Sequence, residues 1–116
     1  MMGKVKYYAK AISIPAGASG EEEIFVNKDP ARYVIERFTV HMAGLKPAVT
    51  FTILKNGVQV LPEPGYQFAG HENPYGYDTD VEVLPNDKIS VKYSSTSSQD
   101  EVLFIVFKLK EVPAGE

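Results

Sequence analysis

Apolar and polar residues alternate along much of the chain, in short runs that turn residues separate. In VTFTILK, Val49, Phe51 and Ile53 fall on one side of an extended chain and two threonines on the other, as in an antiparallel strand with one buried face. KISVKY repeats this alternation from Ile89 to Tyr93. No window shows the 3.6-residue apolar repeat of a helix, so the pattern predicts strands.

Segments of this kind predict about eight strands and no helix, because they are short, rich in Val, Ile, Phe, Tyr and Thr, and bounded by turn residues. They are VKYYAKAISI, EEIFVN, RYVIERFTVHM, VTFTILK, VQVL, TDVEVL, KISVKYS and EVLFIVFKLK. Many short strands joined by turns are typical of antiparallel sandwiches. We therefore predict one all-β domain over residues 1–116, a two-sheet β-sandwich of jelly-roll type, with residues 1–10 as an N-terminal arm or an edge strand.

Several connections can be predicted from local signals. The Asn-Gly pair in LKNGVQV favours a type I′ turn and hence a hairpin from Val49 to Leu61. In ARYVIERFTVHM the apolar parity changes, which predicts a bulge or a bend near Glu36 and Arg37. VLPNDKISV predicts a second antiparallel connection, and IPAGASGEE and YSSTSSQDE predict flexible loops.

The last strand differs from the others, because VLFIVFKL is apolar on both faces between Val102 and Leu109. A covering element of the same chain would explain the second apolar face, and so would contact with another subunit. We favour the covering element. An outer face that is open would mean that the protein is not a monomer.

The composition excludes several classes of function. The 116 residues are 44% apolar and 23% charged, as in a globular domain that can fold without a metal. A net charge of −3 creates no attraction to phosphate backbones or anionic lipid, so we expect no nucleic acid and no membrane as partner. The absence of cysteine excludes disulfides, thiolate metal sites and cysteine nucleophiles. No apolar run has the length of a signal peptide or a membrane span, so we expect synthesis in the cytoplasm.

Residues with catalytic or metal-binding chemistry form no known pattern. The two histidines, His41 and His71, are far apart in sequence, and we expect His41 to be an outward polar residue of a strand. Asp78, Asp80 and Glu82 alternate on an extended chain and could share a calcium ion, but a charged strand edge is the simpler interpretation. An enzyme would rest only on His71 with Asp78 and Asp80, so we expect no enzyme, no metal and no cofactor.

The stretch PEPGYQFAGHENPYGYDTD, residues 62–80, combines aromatic rings with Pro, Gly, Asn and His. We name it the tyrosine-rich stretch and interpret it as an irregular loop. Such rings are typical of recognition loops, although the absence of Trp weakens a role in sugar stacking. Equally, the rings could fold back and cover one end of the sandwich. The candidate binding residues are Tyr66, Phe68, His71, Asn73, Tyr75 and Tyr77.

The succession SIPAGASGEEEIFV, YVIERFTVHM, VTFTILKNGVQV, VEVLPNDKISVKY and EVLFIVFKL resembles the small jelly-roll proteins with which phages and archaeal viruses decorate or cement their capsids. This resemblance covers most of the chain and assigns no site to single residues. It implies a non-enzymatic virion protein, assembled in the host cytoplasm, that contacts capsid protein and forms a homo-oligomer, commonly a trimer. The alternative function is a carbohydrate- or receptor-binding module that uses the tyrosine-rich stretch.

Overall fold

The structure is a computed structural model that describes residues 4–42, 49–69 and 75–113. Over these ranges the chain forms nine strands and no helix: β1 (Val5–Ile14), β2 (Ser19–Val26), β3 (Tyr33–Met42), β4 (Val49–Lys55), β5 (Val58–Leu61), β6 (Phe68–Ala69), β7 (Tyr75–Val83), β8 (Lys88–Ser95) and β9 (Glu101–Glu111). The eight predicted strands are all present, and β6 adds a ninth of two residues. The described part of the chain contains no helix suited to crossing a membrane.

The strands form two antiparallel sheets, which confirms the predicted β-sandwich. The four-stranded sheet has the order β1-β9-β3-β7, and the five-stranded sheet has the order β2-β8-β4-β5, with β6 also paired to β4. The pairs are nested, since β1 pairs with β9, β2 with β8, β3 with β7 and β4 with β5. This is a long hairpin wound across two sheets, which is the jelly-roll arrangement.

The core lies between the two sheets and consists of the inward residues of every strand except the short β5 and β6. The alternation of Val49, Phe51 and Ile53 is confirmed, because all three are buried. The other buried members of the core are Ile12, Ile14, Phe25, Tyr33, Ile35, Phe38, Val40, Met42, Val83, Ile89, Val91, Leu103, Ile105, Phe107 and Leu109. Burial of this apolar set is the main source of stability.

The predicted bulge in β3 is also confirmed. The register of β3 shifts between Ile35 and Arg37 in its pairing with both β7 and β9. One extra residue, Glu36, therefore separates two stretches of the strand that each keep their apolar side chains inward. This explains the change of parity in the sequence.

Of the two predicted turns, one is a hairpin and the other is not. Asn56 and Gly57 have φ of 52° and 84° and join β4 to β5, as a type I′ turn requires. VLPNDKISV, however, joins β7 of the four-stranded sheet to β8 of the five-stranded sheet. The expected second antiparallel connection is therefore corrected to a crossover, because each strand finds its partners in a different sheet.

The two loops that we expected to be flexible hold each other by hydrogen bonds at one end of the sandwich. The N–H of Gly17 donates to the carbonyl of Ser97 at 3.0 Å, and the N–H of Ser95 donates to the carbonyl of Ala18 at 2.9 Å. The N–H of Ala16 also donates to the Asp100 carboxylate at 2.9 Å. Backbone groups of both loops are thus satisfied within the chain.

A polar cluster ties β1 to the connection between β2 and β3. The Asp29 carboxylate accepts hydrogen bonds from the N–H of Ala31 at 3.0 Å, from the Tyr33 hydroxyl at 2.8 Å and from Lys6 Nζ at 3.1 Å. These three donors, the Ala31 N–H first, lower the pKa of Asp29 to about 2, because they favour the charged carboxylate. The cluster therefore stabilises the fold more strongly when Asp29 is ionised than when it is protonated.

Candidate functional site

The tyrosine-rich stretch is not one irregular loop, which corrects the prediction. Phe68–Ala69 forms β6, and Tyr75 is the first residue of β7, so the stretch ends in regular structure. The glycines and prolines of the stretch hide the start of β7 in the sequence. These residues form a strand because they pair with β3. His71 and Asn73 lie outside the described residues, and so does the side chain of Tyr75.

Two of the candidate binding residues contact the core. The half-buried Phe68 ring lies 5.2 Å from the Phe38 ring, 5.3 Å from the Phe51 ring and 5.1 Å from the Tyr77 ring, centroid to centroid. Because Phe68 is at the edge of one sheet and Tyr77 at the edge of the other, these rings close the gap between the sheet edges. Tyr77 is 46% exposed, so part of this residue remains accessible at the gap between the two sheet edges.

Tyr66 lies elsewhere, at the outer face of the five-stranded sheet. It is 64% exposed and lines a groove of about 500 Å³, which we name the polar groove. Gln59, Gly65, Tyr66 and Gln67 form its wall. Its floor is formed by the outward side chains Ser19, Thr50, Thr52, Lys92 and Ser94, and Phe51 and Tyr93 also line the groove. The structure therefore separates Tyr66 from Phe68 and Tyr77.

The floor of the polar groove follows from strand register. Thr50 is paired with Ser94, which is paired in turn with Ser19, so three hydroxyls form a row across β4, β8 and β2. The Ser19 hydroxyl donates to the Ser94 hydroxyl at 3.1 Å. Thr52 is paired with Lys92 in the next outward row. The alternation in VTFTILK predicts that Thr50 and Thr52 lie on the polar side of β4. In the structure they form part of the floor of the polar groove.

The wall that carries Tyr66 is held by a turn and by one amide. Gly65 has a φ of 99°, and the N–H of Tyr66 donates to the carbonyl of Glu63 at 3.1 Å, as in a type II turn with Pro-Gly at its centre. The Gln59 amide donates to the carbonyls of Pro62 and Tyr66, both at 3.0 Å. Tyr66 is thus positioned before any ligand binds. No sequence signal marked Gln59, since its role depends on the chain folding back over it.

Two of the three acidic residues of β7, Asp78 and Glu82, form ion pairs. Asp78 contacts Arg37 at 2.7 Å and Glu82 contacts Arg32 at 3.4 Å, so both carboxylates bind cations of the same chain. Among the described residues, no group of three or more His, Asp or Glu side chains could hold a metal ion. The structure therefore supports a charged strand edge in this place.

A second surface of interest is the outer face of the four-stranded sheet. Val102 and Phe104 of β9 are 38% and 43% exposed, and Phe104 is paired with Ala11 of β1 on one side and with His41 of β3 on the other. We name the apolar patch by its five residues, Ala9, Ala11, Val102, Phe104 and Val106. The predicted outward position of His41 is confirmed, and its ring lies 5.9 Å from that of Phe104.

The covering element that we favoured for β9 is absent from the described part of the chain. β9 is a central strand, between β1 and β3, but its apolar outer face is exposed at Val102 and Phe104. Over the described residues this face of β9 is therefore open, which leaves contact with another subunit as the alternative to consider.

Comparison with known proteins identifies the fold. No protein-family model and no curated protein matches this sequence. A chain of the cyanophage Pam1 capsid asymmetric unit aligns with a TM-score of 0.66 and 12% identity, over 97% of this chain and 87% of that chain. In fold, this protein is similar to a phage capsid protein. A chain of the disulfide-linked pili of Bacillus endospore appendages aligns with a TM-score of 0.49 and 13% identity, over 97% and 93% of the two chains.

Proposed function

We propose that the protein is a non-enzymatic structural component of a virion, a capsid decoration or minor capsid protein that acts through protein–protein contacts. The observation that carries this proposal is the apolar patch, because a central strand that exposes Val102 and Phe104 is typical of a surface that another protein covers. The similarity in fold to a chain of a phage capsid, across 97% of this sequence, supports the same role.

The charges beside the apolar patch also suit a protein contact. Lys108 contacts Glu36 at 3.5 Å, and Arg37 contacts Asp78 at 2.7 Å. Because these four charges are paired within the chain, a partner that covers the patch would not leave them without a counter-charge. The partners that we propose are further copies of this chain, as a trimer, and capsid protein.

The apolar patch is smaller than a usual protein–protein interface. A standard interface buries about 800 Å² on each side, which is more than five side chains provide. The apolar patch would therefore be the centre of a larger contact, with the paired charges at its rim, as interfaces are usually built.

The experiment is a binding titration on phage capsids. Labelled protein is mixed with a panel of purified capsids, including cyanophage shells, and the bound fraction is measured by cosedimentation. We expect saturable binding with a fixed number of copies per shell for at least one capsid. Absence of saturable binding across the panel would overturn the proposal.

A further inference from the structure

We propose that the polar groove binds a glycan that carries a carboxylate group, with the Tyr66 ring stacking on a sugar and Lys92 pairing with the carboxylate. This binding activity goes beyond the proposed structural role, because it uses the other sheet and needs no protein partner. The volume of the polar groove, about 500 Å³, lies in the range of roughly 300–1,000 Å³ that is usual for small-ligand sites.

The floor of the groove favours a ligand with many hydroxyl groups. Ser19, Thr50, Thr52 and Ser94 line it, and each hydroxyl can both donate and accept a hydrogen bond. A sugar chain offers the same groups in return. An apolar ligand would instead bury these hydroxyls without partners, which costs free energy.

Lys92 gives the groove its preference for an acid. Among the described residues it is the one charged residue that lines the groove, and it forms no ion pair with any of them. Its neighbour across the strand pair is Glu21, whose carboxylate accepts a hydrogen bond from the Ser90 hydroxyl at 3.1 Å. The lysine ammonium is therefore available as a point charge for a ligand carboxylate.

Tyr66 supplies the stacking surface at a low entropic cost. The residue is 64% exposed, and the turn and the Gln59 amide fix the backbone that carries its ring. A side chain with two rotatable bonds on a preorganised backbone loses little freedom on binding.

The experiment uses a glycan array with matched pairs, in which each acidic glycan stands beside its neutral parent, for example 3′-sialyllactose beside lactose. Calorimetry with the tightest acidic glycan and its parent then compares four proteins. These are the wild type, Tyr66→Ala, Lys92→Gln and a control, Tyr7→Ala, which removes a ring that is 65% exposed on the opposite sheet. Circular dichroism confirms that each variant is folded.

We expect the wild type to bind the acidic members preferentially. Tyr66→Ala should weaken binding about tenfold or more, as for a tyrosine at the centre of a contact, while Tyr7→Ala should bind as the wild type does. Lys92→Gln should bind the acidic glycan and its parent equally. The proposal is overturned if no glycan binds, if only neutral glycans bind, or if the Tyr66 and Tyr7 variants behave alike.

Discussion

Self-association should depend on Phe104. Its ring lies in the middle of the apolar patch, next to Ala11 on one neighbouring strand and His41 on the other. Phe104→Glu replaces the ring with a carboxylate at a position where a partner subunit would exclude water. We expect this single change to convert an oligomer into a monomer.

The magnitude follows from the exposed part of the ring. An aromatic side chain presents roughly 150–250 Å², and 43% of Phe104 is exposed, so a partner would bury about 65–110 Å² of it. At ~25 cal/mol per Å² this burial is worth about 1.6–2.7 kcal/mol per ring. Loss of one such contact should raise the dissociation constant by about 15- to 100-fold, and the cost of desolvating the new carboxylate adds to this.

The assay is size exclusion with light scattering over a range of concentrations. We expect a trimer for the wild type and a monomer for Phe104→Glu at concentrations where the wild type remains assembled. Val58→Glu is the matched control, since Val58 is 67% exposed in β5 of the other sheet and the charge change is identical. A wild type that is monomeric at every concentration, or a Phe104→Glu protein that keeps the wild-type mass, would refute the reasoning.

Two further predictions concern stability. Because the pKa of Asp29 is lowered to about 2 from 3.8, its contribution should be complete above about pH 4 and disappear as the pH falls through 2. In urea unfolding, Asp29→Asn should have a lower free energy of unfolding than the wild type at neutral pH, and the two values should converge near pH 2. A difference in free energy of unfolding that does not change with pH would contradict this. Gly76→Ala should cost about 1–3 kcal/mol, because a Cβ would lie 2.6 Å from the carbonyl oxygen of Phe38. Gly20→Ala should cost less, since its Cβ would meet the movable Tyr93 hydroxyl at 2.7 Å, and the reverse order in urea unfolding would contradict the argument.

Local sequence signals predicted most of the strands, since alternation and turn residues act over a few positions. The bulge near Glu36 could be predicted from parity alone, and the Asn56-Gly57 turn from backbone preference alone. The start of β7 could not, because Tyr75 and Gly76 follow a proline and read as a loop until they pair with Val40 and Thr39 of β3. The crossover at VLPNDKISV could not be predicted either, because it depends on β7 pairing with β3 and β8 pairing with β2 and β4.

The polar groove could be predicted only in part. Tyr66 was a candidate from composition, but the floor beneath it arises from pairing between β4 and β8, which are far apart in sequence. Strand pairing, not parity, separates the aromatic candidates, since Tyr66 and Phe68 are two positions apart. Phe68 is paired with the inward Phe51 and packs on core rings, whereas Tyr66 belongs to the preceding turn and lines the groove at the outer face.

The apolar patch and the polar groove lie on opposite outer faces of the sandwich, because each sheet turns its inner face toward the shared core. A partner on the apolar patch therefore leaves the groove open, and an assembled protein would display one groove per subunit. Phe104→Glu should then keep the glycan affinity of a single groove and lose the stronger binding to a surface dense in glycans that several linked grooves provide. Tyr66→Ala should do the reverse, keeping the oligomeric mass and losing the glycan. Calorimetry with a soluble glycan and binding to a glycan-coated surface separate these effects. If Phe104→Glu also removed binding of the soluble glycan, the groove would have to include residues of a neighbouring copy, and the two surfaces would not be independent.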